Sequence, residues 1–428
     1  MFKNRFLKDN LVVMASTVLG GVLGYFFHFI VSRKLSVSQY GELQAISSVS
    51  VIFGFLSSAL YYFIIRYTSV LASHDDRAGQ AHLTAYLFRK FRLPVLSFLI
   101  IYILLLPFIK SLLHLTDYLG LVAIGISVMV ILYSAIYSNA LQGWKKFLAG
   151  GLIGVTVAAA KLLGGFAIAS AYPTASMVSI SILVSAVLGW YLLRIYSRRA
   201  WPAKKLEVKQ NNWRENYFSG ENFKKIFVSV LFFSLALAAA SNLDIILVKN
   251  MTNSKLAGYY GALSVLGKII MWLNLSVVAV LLPDAFSLGH AGKPASQKSV
   301  LASYGLIFMM SFLALVFYYL FSGFLVNLLF GEKYAIISQS LWLFGLMAVF
   351  LSLLTLEANL ALARRDFRST YLLGTVILIL ISAVHFFHAD LKQVVLSVIF
   401  SFSLGWICML ALNLSHRLAY TPVLKTKS

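Results

Sequence analysis

The stretch SNLDIILVKN places a carboxylate, Asp244, inside an apolar run that extends from Ile226 to Val248 without a Lys or Arg. Lys161, Lys268, Arg66 and Glu357 also fall within long apolar runs. A charge in such a place costs several kcal/mol at a lipid face, so these residues are expected to turn inward and mark a pathway. Ammonium and guanidinium groups held there offer partners to a phosphate-type anion. A carboxylate there can take a proton or Na⁺, or neutralise a lysine. The other acidic cluster, SHDDRAG (73–79), holds the only adjacent aspartates and reads as a solvated turn.

The surrounding sequence must carry these residues across a membrane. The 428 residues are 60% hydrophobic and 12% charged, with a mean hydropathy of +0.85, more apolar surface than a soluble fold can bury. Twelve stretches are long enough to cross hydrocarbon as helices, each needing about 20 residues at 1.5 Å per residue. They lie near 11–32, 41–66, 93–113, 118–137, 148–171, 175–193, 226–249, 257–282, 300–323, 337–361, 370–388 and 393–415. They are helices because a bilayer offers no partner for unpaired backbone groups. The first run is too long for the core of a cleavable signal and is expected to stay in the membrane. Cys408 is the single cysteine, which excludes an internal disulfide and a thiolate metal cluster.

The net charge of +22 would suggest nucleic acid in a soluble protein. Here its distribution points to topology instead, and no nucleic-acid partner is expected. With the N-terminus inside, the inner segments carry 26 Lys and Arg and the outer ones 7. The positive-inside rule therefore puts both termini in the cytoplasm.

The chain also repeats itself. SQYGELQAI (38–46) and KLAGYYGAL (255–263) both open a span, and aligning Gly41 on Gly258 gives an offset of 217. NALQGWKKF (139–147) and NLALARRDF (359–367) share Asn-x-x-x-(Gly/Ala)-x-(Lys/Arg)-x-Phe at an offset of 220. Six spans per repeat is an even number, so the halves run parallel, related by an axis along the membrane normal. The expected organisation is an N-terminal six-helix lobe (1–195), a basic cytoplasmic linker (196–225) and a C-terminal six-helix lobe (226–428), enclosing a central cavity. Trp201, Trp213 and Tyr217 of the linker are expected at headgroup level.

SRKLSVSQYGELQAISSVSVIFGFLSSAL resembles the start of polysaccharide flippases of the multidrug/oligosaccharidyl-lipid/polysaccharide (MOP) exporter superfamily. NLDIILVKNMTNSKLAGYYGALSVLGKII, LLPDAFSL, LFGEKYAIISQSLWLF and LQGWKKFLAG are similar to the corresponding stretches of that family, and the likeness covers nearly the whole chain. The resemblance implies an all-α integral membrane fold of twelve helices in two lobes. It implies no catalytic chemistry and translocation of undecaprenyl-diphosphate-linked oligosaccharide across a bacterial or archaeal cytoplasmic membrane by alternating access, for cell-surface polysaccharide biosynthesis. A monomer in contact with membrane lipids is expected, beside a polysaccharide polymerase and chain-length regulator. No cofactor is expected beyond a coupling Na⁺ or H⁺. Lipid II flippases of the superfamily typically have two further helices. An ion-coupled multidrug exporter of the MATE type is the alternative within transport. A membrane polymerase or ligase of lipid-linked glycans is the alternative outside it, disfavoured by the short external segments.

Under that reading Lys161 and Lys268, both near mid-depth of the membrane and one in each lobe, are candidate contacts to a diphosphate, with Arg66 near the cytoplasmic end of its span. Asp244 has three readings: a pair with Lys268, an ion-coupling site, or a cap at a helix break. Glu357 is read as a charge pair with Arg364 or a second ion-coupling group. His28 is expected to be a hydrogen-bonded packing residue. The small-residue spacings of TVLGGVLGYF (17–26) and AGGLIGVTVAAAKLLGGF (149–166) are expected to seat close helix contacts.

Overall fold

The computed structural model describes residues 2–201, 223–290, 297–364 and 366–420. Within these stretches the side chains of 2–11, 58, 62, 63, 66, 223–226, 279, 280, 282–290, 297 and 416–420 lie outside the description. The helices are α1 (Phe2–Lys34), α2 (Val37–Phe53), α3 (Phe55–Ser73), α4 (Arg77–Leu112), α5 (Leu119–Gly143), α6 (Phe147–Ala171) and α7 (Ala175–Ala200). Then follow α8 (Phe223–Met251), α9 (Ser254–His290), α10 (Gln297–Leu329), a 3-10 helix (Glu332–Ser340), α11 (Leu341–Ala363), α12 (Arg368–Phe386) and α13 (Leu391–Tyr420). Twelve segments among the described residues are long and apolar enough to cross a membrane, α2 and the start of α3 counting as one. The chain is thus an all-helical, multi-pass membrane protein.

Several helices outrun the apolar stretches that announce them. α4 begins at Arg77, 16 residues before the expected span, because its first turns carry Arg89, Lys90 and Arg92, where a hydropathy window sees no membrane. At 36 residues it is about 54 Å long, well beyond the hydrocarbon thickness. The adjacent aspartates have structural duties at its start. Asp76 caps the helix by accepting from the Gly79 N–H at 2.7 Å, and Asp75 pairs with Arg77 at 3.2 Å. Gly54 separates α2 from α3.

Two compact units divide the chain. The first comprises 1–39 and 49–234, the second 40–48 and 235–428. The division falls at 234/235 and lifts 40–48 out of the first half. Most of the expected basic linker, 202–222, lies outside the described residues, and 196–200 prolong α7. Trp201 packs within the first unit. It is 5% exposed and packs beside Trp144, ring centroids 5.6 Å apart, because the extended α7 delivers it to the end of α5. Trp213 and Tyr217 lie outside the described residues.

In the first unit α1 lies along α6, and α5 packs on α3, α4 and α7. Two glycines of 149–166 seat the first of these contacts: a Cβ at Gly151 would meet Ser16 Oγ at 2.5 Å, and one at Gly165 would collide with the Phe27 ring. Gly20, Gly21 and Gly24 of α1, like Gly150 and Gly154 of α6, meet no neighbour among the described residues. Gly143, which ends α5 in the first Asn-x-x-x-Gly motif, abuts Thr68. Gly143→Ala is therefore expected to lower stability by about 1–3 kcal/mol through overpacking, measurable as a drop in Tm in detergent. An unchanged Tm would mean that α3 and α5 can slide apart at no cost.

In the second unit α11 is enclosed along nearly its whole length by α9, α10 and α13. A helix apolar all round suits that central place. α12 packs on α13, and α10 is broken at Phe321 (φ −114°, ψ 17°). Gly331 (φ +88°) ends α10 and lets the chain turn into the 3-10 helix, a conformation that glycine adopts without steric cost. The outward residues of α1 and α10, among them Val18, Phe26, Phe312 and Tyr319, are large, apolar and exposed, as a lipid-facing surface requires.

Candidate functional site

The sequence-predicted residues separate into a lysine of the first unit and, in the second, a polar group on α8 and α9 and a carboxylate on α11. Lys161 projects from the middle of α6 towards α1, with its Nζ 4.3 Å from the centroid of the Phe27 ring. The ring face is a neutral partner. His28 follows Phe27, and the two rings meet edge to face at 5.2 Å.

In the second unit α8 and α9 are joined by a tight turn at 252–253, so they run antiparallel side by side. Asp244, 1% exposed, accepts a hydrogen bond on Oδ2 from the Tyr260 hydroxyl at 2.8 Å. Lys268 donates to Asn242 Oδ1 at 3.1 Å. The expected Asp244–Lys268 pair is therefore corrected: the two residues face the same helix boundary, but each takes a different partner, and no ion pair between them lies within bonding distance. The reason is depth. Tyr260 lies nearer the level of Asp244 than Lys268 does, two helical turns further along α9, and Asn242 meets the ammonium first. Asp244 Oδ1 and Ser264 Oγ are both buried with no hydrogen-bond partner among the described residues. Tyr260, Ser264 and Lys268 recur every four residues and so share one face of α9.

Glu357, 1% exposed on α11, lies in a separate network. Tyr304 of α10 donates to its Oε1, while Asn413 of α13 donates to its Oε2 and, at 2.9 Å, to its carbonyl oxygen. Arg364 reaches this group through Asn413 Oδ1, and Trp406 Nε1 donates to the Tyr304 hydroxyl at 3.4 Å. The direct Glu357–Arg364 pair is corrected to one relayed by Asn413, which sequence spacing within α11 could not reveal. Removing that relay strands a buried carboxylate oxygen. Asn413→Leu is expected to cost about 3 kcal/mol, seen as a lowered Tm, and Glu357→Gln should recover part of it in the double variant. Additive losses would mean that the two side chains act independently.

The side chain of Arg66 lies outside the described residues. Two charged residues that sequence reasoning leaves aside are deeply buried. Glu42 and Lys249 are 7% and 1% exposed and meet at 3.9 Å. Hydropathy assigns Lys249 to an outer loop because it terminates an apolar run, whereas α8 continues to Met251. Among the described residues no group of three metal-ligating side chains occurs.

No known protein family and no curated protein matches the sequence. Solved structures do match. An inward-facing multidrug-resistance MATE-family transporter of the MOP superfamily aligns with a TM-score of 0.71 at 13% identity, over 97% of this chain and 100% of the other. The chain has the MATE/MOP transporter fold. The lipid II flippase MurJ, in an inward closed conformation, aligns at 0.68 and 15% identity over 95% and 90%. The MATE multidrug transporter DinF-BH, solved as a complex, aligns at 0.68 and 12% identity over 95% and 94%. At such identities the shared property is the fold, and the choice of cargo rests on this chain's own side chains.

Proposed function

We propose that the protein is a flippase that moves an undecaprenyl-diphosphate-linked oligosaccharide across the cytoplasmic membrane by alternating access, with both termini cytoplasmic and without catalytic chemistry. One observation carries this reading: Lys161 and Lys268, both within spans, have an aromatic face and an amide oxygen as neighbours, with no carboxylate at ion-pair distance among the described residues. Ammonium groups without a bonded carboxylate favour an anionic cargo and repel a cationic one. A diphosphate carries that anion, and the lipid tail can remain in hydrocarbon while the headgroup crosses. Arg66 is proposed as a third phosphate contact. Asp244, with one buried carboxylate oxygen lacking a partner, is proposed as the site where H⁺ or Na⁺ couples to movement, since a buried unpaired oxygen calls for a proton or a cation. Glu357 is the second acidic candidate, although its oxygens are already occupied by Tyr304 and Asn413. A polysaccharide polymerase and chain-length regulator would act on the delivered lipid.

The MATE-type reading stands second, because multidrug MATE transporters are among the fold neighbours. Proteoliposomes separate the two. Movement of a defined lipid-linked oligosaccharide, with and without an imposed Na⁺ or proton gradient, is expected. Efflux of an organic cation such as ethidium, with no movement of the lipid-linked sugar, would overturn the flippase reading in favour of the exporter.

A further inference from the structure

The two repeat motifs do more than mark equivalent places: within the second unit they touch. α2 and α9 begin at the same offset as their motifs, and Gly41 lies directly against Gly258. A Cβ at Gly41 would come within 2.6 Å of Gly258 N and 2.9 Å of its Cα. A Cβ at Gly261, one turn on, would meet Gln44 Cγ at 2.8 Å. Only glycines permit backbones to cross at this distance.

Two further contacts fix residues 40–48 in this seat, and a hydrogen bond within the segment braces it. Tyr40, fully buried, packs edge to face on Phe330 and Tyr334, ring centroids 6.0 and 6.1 Å apart. Gln44 donates to the Tyr40 hydroxyl at 2.6 Å. Glu42 lies 3.9 Å from Lys249 Nζ, which also donates to Ser254 Oγ at 2.8 Å. Yet the same helix belongs to the first unit on either side of this segment, at 37–39 and 49–53.

We propose that residues 40–48 form a charge-locked latch, in which the buried Glu42–Lys249 pair holds α2 on α9 and its separation frees the segment in another state of the transport cycle. This rests on the alternating-access reading. The chemistry suits a reversible closure. Burying two ions forfeits their hydration, and separating them in water returns it, so the closed and open states differ little in free energy. The glycine crossing adds close packing without large side chains that would have to be withdrawn. By contrast, an apolar plug of the same size would oppose opening over its whole area.

A thiol reporter tests the latch without any cargo. Ser48→Cys, at a buried position on α2, is placed in a Cys408→Ser background, and a membrane-impermeant maleimide is the probe. Glu42→Gln and Lys249→Met should each raise the labelling rate by about tenfold through a larger open population, in protein that stays monodisperse. Unchanged labelling in both variants overturns the latch. A cross-link decides the matter if either variant loses its fold. In the Cys408→Ser background, Gln44→Cys with Gly261→Cys brings two Cβ atoms near disulfide spacing, the Gly261 Cβ being 3.1 Å from that of Gln44. Oxidation should halt movement of the lipid-linked oligosaccharide, and reduction should restore it. Transport that continues in the cross-linked protein overturns the latch. Absence of transport before oxidation counts against the cargo assignment alone, and the maleimide result then judges the latch.

Discussion

Replacing Lys161 and Lys268 together with alanine is expected to reduce transport of an undecaprenyl-diphosphate-linked oligosaccharide by roughly 100-fold or more while leaving folded protein in the membrane. The magnitude follows from two charge-assisted contacts of about 1.5–3 kcal/mol each, at one factor of ten for every 1.4 kcal/mol. Folding should survive because neither substitution breaks an ion pair at bonding distance. Lys161 leaves behind the Phe27 ring and Lys268 the Asn242 amide oxygen, both neutral. Each single variant should show about the square root of the double effect if the lysines act independently. The assay is transport by reconstituted protein at matched protein-to-lipid ratio, with size-exclusion profiles as the control for folding. Wild-type transport by the double variant would remove the basis of the cargo assignment.

Asp244→Asn is expected to abolish stimulation of transport by an ion gradient, a loss of about 5- to 150-fold for a coupling free energy of 1–3 kcal/mol. The substitution keeps the shape and an acceptor for the Tyr260 hydroxyl, but it removes the group that could hold a proton or Na⁺. Tyr260→Phe provides the companion measurement. It deletes the donor to Oδ2 while keeping the ring that packs on Phe344 at 5.0 Å. If the carboxylate couples to an ion, Tyr260→Phe should shift the concentration of ion needed for half-stimulation and leave the stimulation itself in place. Adding Lys268→Met to Asp244→Asn should restore nothing, because the lysine bonds Asn242. Recovery in that double variant would show that the two charges pair in a state other than this one.

The partners of these residues mark where sequence reading stops. Period and hydropathy report how deep a residue lies in the membrane. They do not report which way it points around its helix or how far a long side chain reaches. Asp244 and Lys268 do lie on adjacent antiparallel helices, as their spacing predicts, but Tyr260 and Asn242 intervene. Glu357 lies in α11 and Arg364 caps the same helix, but their connection runs through Asn413, 56 residues from Glu357. No spacing rule within one helix could find a relay on another. The partner of Trp201 is hidden for a related reason. A polar, basic stretch reads as surface, yet α7 continues through its first residues and carries the indole against Trp144.

Composition is enough to assign the class of the molecule. Twelve apolar stretches recur along the chain, and hydrocarbon permits nothing but hydrogen-bonded helices to cross it, so the number, type and approximate limits of the spans follow directly. The paired motifs also announce equivalent helix openings and endings, because glycine and polar residues at a helix terminus leave a local signature. Which charges are matched emerges only from packing. It brings Gly41 against Gly258, seats residues 40–48 in the second unit and buries Glu42 beside Lys249, two residues at the edges of apolar runs whose pairing no linear reading reveals. Hydropathy is a property of a segment, whereas the partner of a buried charge is set by the rotation and approach of a second helix, and those are fixed only when the side chains of both have packed.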